Sequence, residues 1–588
     1  MSAISMGATA QSKIAFAVSF SEPQAHYVDV EMEISGNKKE QLEIKMPVWA
    51  PGSYLIREFA KNVEAFTASG NNGGELSVQK INKNTWKINT NKTDKVKIKY
   101  RVYAYEISVR TSFVDASHAF LSPTGIFMYP EGSINQPSTV TINPVKDWNK
   151  ISTGLENVSG KQNSFYAPDF DILYDSPIEV GTQDVFDFTA AGVKHEVAMV
   201  GGGNYDKERL KKDMAKVIEE ETRIFGVNPN KRYVFIVHNY NSGGGGLEHI
   251  NSTVLGATRF GYTNENTYKG FLSLVAHEYF HLWNVKRLRP VALGPFDYDR
   301  ENYTTNLWIA EGFTAYYDNL IIRRANFHSP ERYLDLVAAE INLVENQPGN
   351  RVQSASEASF DAWIKQYRPN ENSKNSGISY YNKGALIALV MDLEIMNATN
   401  AEKSLDDVMK AMYDEYYTKK SRGYTDAEFK AMAEKVAGKS FDQVYRDYVN
   451  GTKMIDYKRI LGYAGLSLEN TANQKNEPFL GVTSSEKDGK ITLSNVARNS
   501  AAWIGGLNVN DEIVGIDGQR VTDLEKSMGL RNVGDKVNIL VNRDGILKNI
   551  ELNLIKNPSA KYKVIPMEAP TALQLKVRSK WLDLEDSK

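Results

Sequence analysis

The chain has 588 residues, which is too long for a single hydrophobic core and predicts three or four domains. Its 70 Lys and Arg residues nearly balance 72 Asp and Glu residues, which argues against nucleic acid or an anionic membrane as the main partner. The chain has no cysteine, so thiol catalysis, disulfides and Cys-ligated zinc are excluded, and any metal must be held by His, Asp or Glu.

Residues 1–180 are predicted to form an all-β domain. The segments HYVDVEMEIS and KVKIKYRVYAYEIS alternate apolar and polar residues, which is typical of strands with one solvated face. The start of the chain, MSAISMGATAQSK, resembles the cleavage end of a signal peptide but lacks its basic and apolar regions. We therefore expect a periplasmic or secreted protein, with a cytoplasmic location as the alternative. No apolar run is long enough to span a bilayer.

Residues 181–462 are predicted to form a domain that passes from α/β to all-α. The segment KERLKKDMAKVIEEETRIFG predicts an amphipathic helix ending at Gly226, and KRYVFIVHNY predicts a buried strand. A glycine run, NSGGGGLEHINST, follows. Further helices are predicted at VAHEYFHLWNV, LWIAEGFTAYYDNLIIRRA and YYNKGALIALVMDLEIM.

The polar stretch LENTANQKNEP predicts a linker, and residues 476–557 return to short strands separated by glycine turns. Residues 558–588 are predicted to form a tail whose helix, PTALQLKVRSKWLDL, docks back onto the protein.

The motif HEYFH places His277 and His281 four residues apart on one helical face, where both can offer a nitrogen to one metal ion. Glu278 lies one position round the helix, where it can reach a water molecule at the metal but is poorly placed to be a ligand. This H-E-x-x-H arrangement is typical of zinc peptidases. The alternative is a pair of structural histidines with a chance glutamate.

A catalytic zinc ion needs a third protein ligand. Glu311 is favoured because a carboxylate in the apolar segment LWIAEGF is costly to bury unless it is paired or coordinated, although a salt bridge or a surface position stays possible. Asp297 and Asp299 are poorer candidates because their segment, FDYDREN, has the composition of a loop.

Such a site predicts peptide hydrolysis, because zinc lowers the pKa of a water molecule to roughly 7 and polarises a carbonyl. Glu278 would take the proton from the water and deliver it to the leaving amine. Tyr381 could stabilise the oxyanion with its phenol, and Tyr380 is the competing choice. Either tyrosine could equally be an aromatic core residue.

Several long segments resemble the glycyl aminopeptidase family of zinc metallopeptidases, over nearly the whole chain and in the family's order. They are MPVWAPGSYLIREFAKNV, GGGGLEH, AHEYFHLWNVKRLRP, LWIAEGFTAYYD, SYYNKGALIALVMDL and the closing helix with Trp581. The resemblance implies one zinc ion per chain, a thermolysin-like catalytic domain, and cleavage of small N-terminal residues, Gly or Ala.

The family is related to the aminopeptidase N family, whose motifs imply Glu248 as the residue that binds the substrate amine, Glu311 as the third ligand and Tyr381 as the catalytic tyrosine. Two departures point towards the glycyl aminopeptidases. The gap from His281 to Glu311 is longer, and Glu248 is followed by His249 where aminopeptidase N has Asn.

The glycine motif has a physical interpretation of its own. Gly245 and Gly246 allow the backbone to approach a substrate closely, and Glu248 would bind the free ammonium of a peptide and make the enzyme an exopeptidase. Without the resemblance, a flexible loop with an exposed glutamate would be favoured. His249 could orient Glu248, line the site or be structural.

The segments EPFLGV, SAAWIGGLNVNDEIVGIDGQRV and DKVNILVNRDG resemble a PDZ domain. Phe479–Val482 would receive the terminal carboxylate of a peptide, and Leu524 to Met528 would form the other wall of the groove. A PDZ fold that packs on the catalytic body without a ligand is an equal alternative.

The sequence therefore predicts a multidomain α+β protein: an N-terminal all-β domain, a thermolysin-like α/β-to-all-α catalytic domain and a C-terminal PDZ domain. The leading function is a zinc aminopeptidase acting on peptides with a free N-terminus. The alternatives are a thermolysin-like endopeptidase with PDZ-assisted substrate binding and a non-catalytic PDZ scaffold.

The remaining histidines are interpreted as ordinary residues: His26, His118, His195, His238 and His328.

Overall fold

The structure is a computed structural model and describes residues 13–474 and 476–584. The segment interpreted as a signal-peptide remnant lies almost wholly outside these residues. The chain forms two compact units. One contains residues 13–303 and 416–423, and the other contains residues 304–415, 424–474 and 476–584. The predicted domain boundaries at residues 180, 462 and 557 stay a prediction.

The secondary structure of the first unit is rich in strands. In chain order the strands are β1 (Lys13–Ser19), β2 (Tyr27–Ser35), β3 (Gln41–Lys45), β4 (Val63–Ser69), β5 (Val78–Asn82), β6 (Thr85–Asn89), β7 (Lys95–Tyr103), β8 (Phe113–Val114), β9 (Ala119–Leu121), β10 (Tyr129–Pro130), β11 (Ser138–Asn143), β12 (Lys150–Thr153), β13 (Glu156–Asn157), β14 (Ser164–Ala167), β15 (Ile178–Gly181), β16 (Asp184–Ala190), β17 (Val193–Val200), β18 (Arg232–Tyr240), β19 (Gly246–Glu248) and β20 (Ser252–Thr258). The helices are α1 (Phe170–Tyr174), α2 (Lys207–Phe225) and α3 (Glu265–Phe280).

The N-terminal β region is built from three sheets, with strand orders β13-β14-β11-β1-β2-β7-β4, β10-β3-β6-β5 and β12-β15-β9-β8. The predicted period-two pattern is confirmed in β2 and β7, because alternate side chains of both strands are buried. These apolar faces join one core with residues of the second sheet, such as Ile44 and Ile88. The all-β prediction for this region is therefore confirmed.

The second part of this unit is a sheet of order β16-β17-β18-β20-β19, in which β17, β18 and β20 run parallel. The interior of β18 is buried throughout, as expected for a strand covered on both faces. The predicted helix α2 begins at the N-cap Asp206 and ends at Gly226, whose φ of 75° closes the helix in the left-handed conformation. The glycine motif forms β19, which pairs antiparallel with β20.

The second unit is mostly helical before residue 466 and mostly strands after it. Its helices are α4 (Leu307–Ala310), α5 (Gly312–Arg324), α6 (Pro330–Glu345), α7 (Ala355–Phe360), α8 (Ser373–Ser376), α9 (Tyr380–Ala398), α10 (Leu405–Met412), α11 (Asp426–Ala437), α12 (Asp442–Val444), α13 (Tyr457–Gly462), α14 (Ala501–Gly505), α15 (Leu524–Gly529) and α16 (Ala572–Leu582). Its strands are β21 (Leu466–Asn470), β22 (Pro478–Phe479), β23 (Val482–Lys487), β24 (Lys490–Val496), β25 (Glu512–Ile516), β26 (Gln519–Arg520), β27 (Lys536–Arg543), β28 (Ile546–Asn553), β29 (Ile555–Lys556) and β30 (Tyr562–Pro566).

The predicted PDZ region forms a sheet of order β23-β24-β25-β27-β28 with its own hydrophobic core. The segment LENTANQKNEP, predicted as a linker, is in part a strand. Its first residues belong to β21, which pairs with β30 in the tail. Neither strand is apolar enough to be recognised from its own sequence. The tail helix α16 packs on α5 and α9 as predicted, and the Trp581 indole donates a hydrogen bond to the Tyr316 hydroxyl at 2.8 Å.

Among the described residues, no helix combines the length and the apolar character needed to cross a membrane.

Candidate metal and peptide site

The H-E-x-x-H motif, which the sequence predicts to bind a metal, lies at the carboxyl end of α3. This helix begins at Asn264, whose side chain accepts hydrogen bonds from the backbone N–H groups of Asn266 and Thr267. His281 follows the last helical residue but keeps right-handed helical dihedral angles, so the spacing of four residues still holds. The rings of His277 and His281 lie 4.9 Å apart between centroids. Both imidazoles therefore lie on the same helical face, as predicted.

The tautomer of His281 follows from its hydrogen bond. Its Nδ1 lies 2.6 Å from the carbonyl oxygen of Asn284. A carbonyl can only accept, so Nδ1 carries the proton and Nε2 keeps its lone pair. Histidines that bind metals typically have this arrangement, because the hydrogen bond fixes the ring and aims the other nitrogen at the ion.

A buried polar contact holds α3 against the sheet. The Tyr279 hydroxyl accepts a hydrogen bond from Asn228 at 2.7 Å and lies 2.8 Å from Nε2 of His195. Burial lowers the pKa of His195 to about 4, so its imidazole is neutral near pH 7 and can accept a hydrogen bond from the phenol of Tyr279. His195 therefore helps to position the helix that carries His277 and His281.

Three of the predicted site residues meet beside this helix. Glu248, Glu278 and His281 each offer an atom within 4.8 Å of the others, and all three side chains are buried. The glycine motif makes the approach possible, because a Cβ at Gly246 would lie 2.3 Å from Oε1 of Glu278. The two predicted carboxylates are thus neighbours, although thirty residues separate them in the chain.

We expect the Gly246→Ala substitution to lower kcat by roughly 100-fold, because the new methyl group must displace the Glu278 carboxylate by about an ångström. Gly244→Ala in the same glycine run is the matched control, since a Cβ there has no atom within 4 Å. The measurement is steady-state hydrolysis of a glycyl anilide by both variants. Equal loss of activity in the two variants would contradict the predicted role of Glu278 and its dependence on Gly246.

Glu248 is held from the other side by the N-terminal β region. Gly52 has a φ of 85°, and a Cβ there would lie 2.5 Å from Oε1 of Glu248. Only a glycine therefore permits this packing. Among the described residues, Oε1 of Glu248 is buried and has no hydrogen-bond partner. A buried carboxylate oxygen of this kind is costly unless something binds it, which marks Glu248 as a candidate binding group.

His249 belongs to a buried ion-pair cluster centred on Asp175. The Asp175 carboxylate lies 2.9 Å from Nδ1 of His249, and it accepts hydrogen bonds from Lys286 at 2.7 Å and from the backbone N–H of Ile250 at 2.8 Å. Burial alone would raise the pKa of Asp175, but Lys286 and His249 outweigh it and lower the pKa. The cluster ties His249, the residue after Glu248, to the segment that follows α3.

Glu311 lies in the second unit, at the junction of α4 and α5. The sequence predicted one continuous helix here, but the structure has a break at Glu311. The Thr314 hydroxyl donates a hydrogen bond to the Ala310 carbonyl at 2.8 Å, and such bonds bend helices. The Glu311 side chain is 2% exposed, so the predicted burial of this carboxylate is confirmed.

Tyr381 lies in the first turn of α9, close to Glu311. The helices α5 and α9 approach closely, because a Cβ at Gly312 would lie 2.5 Å from the Cα of Gly384. Burial, followed by the charge of Glu311, raises the pKa of Tyr381 well above its usual range, so the phenol stays protonated and can donate a hydrogen bond. Tyr381 is partly exposed and Tyr380 is fully buried, which favours Tyr381 as the residue that reaches a substrate.

The poorer ligand candidates have other partners. Asp299 accepts hydrogen bonds from Lys45, Asn84 and Tyr129 of the N-terminal β region. Asp297 pairs with Arg300 at 2.7 Å. Both carboxylates therefore hold the loop in place.

The predicted peptide-binding loop of the PDZ domain lies beside the edge strand of its sheet. Gly481 has a φ of 81°, and the carbonyls of Leu480 and Gly481 accept hydrogen bonds from Ala502 and Ala497. The strand β23 starts at Val482 and lies at one end of the sheet. The segment predicted as the other wall of the groove forms the helix α15, which contacts β22, and its role in a groove stays a prediction.

Sequence reasoning missed four residues that support the site. They are Gly52 beside Glu248, Asp175 beside His249, Arg110, which donates to the Gly246 carbonyl at 2.9 Å, and Tyr367, whose hydroxyl lies 3.3 Å from that of Tyr381. Of these four residues, Gly52 could have been found from the sequence, because it lies in the segment WAPGSY, which is part of the resemblance to the glycyl aminopeptidase family.

Comparisons with known proteins agree with this architecture. The Peptidase M61 N-terminal domain matches residues 15–182, M61 glycyl aminopeptidase matches residues 270–387, and a PDZ domain matches residues 478–554. A search of curated proteins finds no match to the sequence.

Two solved structures illustrate the range of similarity. A crystal structure of an aminopeptidase N family protein from Idiomarina loihiensis is 30% identical and matches with a TM-score of 0.89, over 97% of this chain and 100% of that chain. An M1 zinc metallopeptidase from Deinococcus radiodurans is 12% identical, with a TM-score of 0.48 over 75% of this chain and 94% of that chain, which is too distant to carry an argument. The chain belongs to the M61 glycyl aminopeptidase family and is a metallo-aminopeptidase with a C-terminal PDZ domain.

Proposed function

We propose that this enzyme is a zinc aminopeptidase that removes a small N-terminal residue from peptides. The observation that carries the proposal is the buried Glu248 carboxylate, which lies beside Glu278 and has an oxygen without a hydrogen-bond partner among the described residues. An aminopeptidase recognises the free ammonium of its substrate, and a carboxylate close to the proposed base can bind that ammonium with a charge-assisted hydrogen bond.

We assign the metal to His277, His281 and Glu311, a possible metal-binding group of two imidazoles and one carboxylate. This composition fits a catalytic zinc ion, and the tautomer of His281 supports the assignment. When bound, zinc would lower the pKa of a water molecule to roughly 7 and polarise the peptide carbonyl. The other candidate group, Glu248, Glu278 and His281, would use both carboxylates as ligands and leave no base, so we reject it.

Glu278 is assigned as the general base. Its carboxylate takes the proton from the attacking water and passes it to the nitrogen of the leaving amine. Gly246 packs against this carboxylate and limits its movement, which keeps the proton acceptor in one place. The low exposure of Glu278 also keeps bulk water from competing for the proton.

Tyr381 is assigned as the donor that stabilises the oxyanion. Its raised pKa keeps the proton on the phenol, so the side chain donates a hydrogen bond to the negative charge that develops on the carbonyl oxygen. Tyr367 lies within hydrogen-bond distance of Tyr381 and orients the hydroxyl.

The size preference is supported by the glycyl aminopeptidase family to which the chain belongs. We propose Gly and Ala as the favoured N-terminal residues, and a series of aminoacyl anilides of increasing side-chain size would measure the preference.

The PDZ domain is proposed to bind a peptide with a free C-terminus along β23, because an edge strand can accept a further strand. The periplasmic or secreted location stays a prediction.

The test of the proposed function compares glycyl anilide with its N-acetylated form. The acetyl group removes the ammonium and adds bulk where Glu248 and Gly52 lie, so we expect the free amine to be hydrolysed at least about 100-fold faster. Equal hydrolysis of the two compounds would contradict the aminopeptidase proposal and favour the endopeptidase alternative.

A further inference from the structure

A cavity of about 540 Å³ lies in the first unit, and none of the candidate site residues lines it. One wall comes from β8, β9 and β15 of the N-terminal β region. The other wall comes from the carboxyl ends of β17 and β18 and from the residue after β20.

The cavity lies on the face of the sheet opposite to α3. Side chains alternate along β18. Tyr233 and Phe235 pack against Tyr279 of α3, with ring centroids 4.7 and 5.8 Å away. His238 lies on the other face, where its ring contacts Phe120 of β9 at 4.7 Å and lines the cavity. The cavity is therefore separate from the metal and peptide site.

The position of the cavity is typical of a ligand site. Ligands of open α/β sheets commonly bind outside the carboxyl ends of parallel strands. Here β17 is followed by two glycines of positive φ, Gly201 and Gly202, which line the cavity. A Cβ at Gly201 would lie 2.8 Å from the carbonyl oxygen of Asn239, so the backbone turns tightly around the cavity.

A buried carboxylate with two imidazole partners lies in the wall. Glu179 is fully buried, and its two oxygens lie 2.7 Å from Nδ1 of His118 and 2.9 Å from Nε2 of His238. Burial alone would raise the pKa of Glu179, but the two histidines lower it. Burial alone would lower the pKa of His118, but Glu179 raises it. The two histidines thus neutralise the charge of Glu179 inside the wall. The bond from His118 to Glu179 uses Nδ1 and leaves the other ring nitrogen, Nε2, for a further hydrogen bond.

Other polar groups of the wall have unused hydrogen-bonding capacity. Within residues 13–474 and 476–584, Nδ1 of His238, Oε1 of Gln183 and Nε of Arg259 are buried and have no hydrogen-bond partner. His238 and Gln183 are at most 5% exposed. In the same described part of the chain Arg259 has no ion-pair partner, and its guanidinium donates one hydrogen bond, to the Asn239 carbonyl. The remaining donors of the Arg259 guanidinium are available to a ligand in the cavity.

Arg259 is the cation of the lining that has no carboxylate partner among the described residues. The carboxylates of the rim accept hydrogen bonds from neighbouring groups: Asp184 from Lys207 and Tyr205, and Asp115 from Ser117 and the backbone N–H of His118. Arg259 is therefore left to pair with a charged ligand, and Nε2 of His118 can add a hydrogen bond. A guanidinium prefers carboxylates, which match its planar fork.

Apolar side chains complete the lining. Phe113, Phe120 and Met199 offer a surface for a hydrocarbon or aromatic body. We propose that this cavity binds a small organic carboxylate with an apolar body, whose carboxylate pairs with Arg259 and accepts a hydrogen bond from Nε2 of His118, at a second site on the face of the sheet opposite to α3.

Isothermal titration calorimetry of the full chain with benzoate and benzamide tests the proposal. The two probes have similar shapes and differ in charge, so the cavity should bind benzoate at least about 10-fold more tightly. Arg259→Gln should remove this preference, and Arg300→Gln, which removes an exposed arginine of the same unit, should leave it intact. His118→Gln provides a second variant and should weaken benzoate binding several-fold if Arg259→Gln does not fold.

Because a carboxylate can also bind a catalytic metal, the same titration is carried out on His277→Ala. Benzoate binding that persists in His277→Ala and is lost in Arg259→Gln supports the cavity. Binding that is lost in His277→Ala and persists in Arg259→Gln assigns the ligand to the metal site and overturns the proposal. Equal affinity of the wild-type chain for benzoate and benzamide also overturns it.

Discussion

Glu278→Gln is expected to keep its zinc and lose turnover by a factor of roughly 10² to 10⁴, the usual contribution of a general base. The amide has nearly the shape of the carboxylate, so it still fits against Gly246, but it cannot accept the proton of the attacking water at neutral pH. The measurement is kcat for glycyl anilide together with zinc per chain by elemental analysis. The loss should appear in kcat, with little change in KM.

Two other outcomes would count against this role. A variant that loses both zinc and activity would make Glu278 a ligand, as in the group that it forms with Glu248 and His281. A variant that keeps both would leave the reaction without an identified base. Glu156→Gln on the exposed strand β13 is the control for a simple loss of charge and should behave as the wild type.

The second large effect is expected from Glu248→Gln. Removing the charge should lower kcat/KM for glycyl anilide by roughly 10- to 100-fold, because a hydrogen bond to a charged group in a partly dry site contributes about 1.5–3 kcal/mol. The residual hydrolysis of N-acetylglycyl anilide should change little, since that compound has no ammonium. The ratio of the two kcat/KM values therefore measures the interaction directly.

The choice of glutamine keeps the packing against Gly52, so a loss of affinity can be attributed to charge and not to a cavity. An equal fall for the free and the acetylated substrate would mean that Glu248 supports the fold of the site. An unchanged ratio would mean that the amine is recognised elsewhere.

The elements with a strong local pattern could be predicted from the sequence. The buried alternation of β2 and β7, the helix α2 with its terminal Gly226 and the buried strand β18 depend on residues that are close in the chain. The pair His277 and His281 belongs to the same class, because one helical turn sets its geometry.

The features that sequence reasoning missed depend on distant residues. Asp175 meets His249 across 74 residues, and Glu179 meets His118 and His238 across 61 and 59. A single sequence contains no signal for such pairs, so His118 and His238 seemed ordinary. The break at Glu311 was missed because the helical pattern of LWIAEGFTAYYDN is continuous, and the bend comes from a side chain that binds the backbone.

The most direct test of the central claim is a titration of the metal-free enzyme with zinc, following hydrolysis of glycyl anilide. The account predicts that the metal-free chain is inactive and that activity rises linearly to a plateau at one zinc ion per chain. Glu311→Gln, tested in parallel, should need far more zinc for any recovery, because a neutral amide replaces one of the proposed ligands. Full activity of the metal-free chain, or a Glu311→Gln variant that recovers at the same zinc concentration as the wild type, would contradict the account.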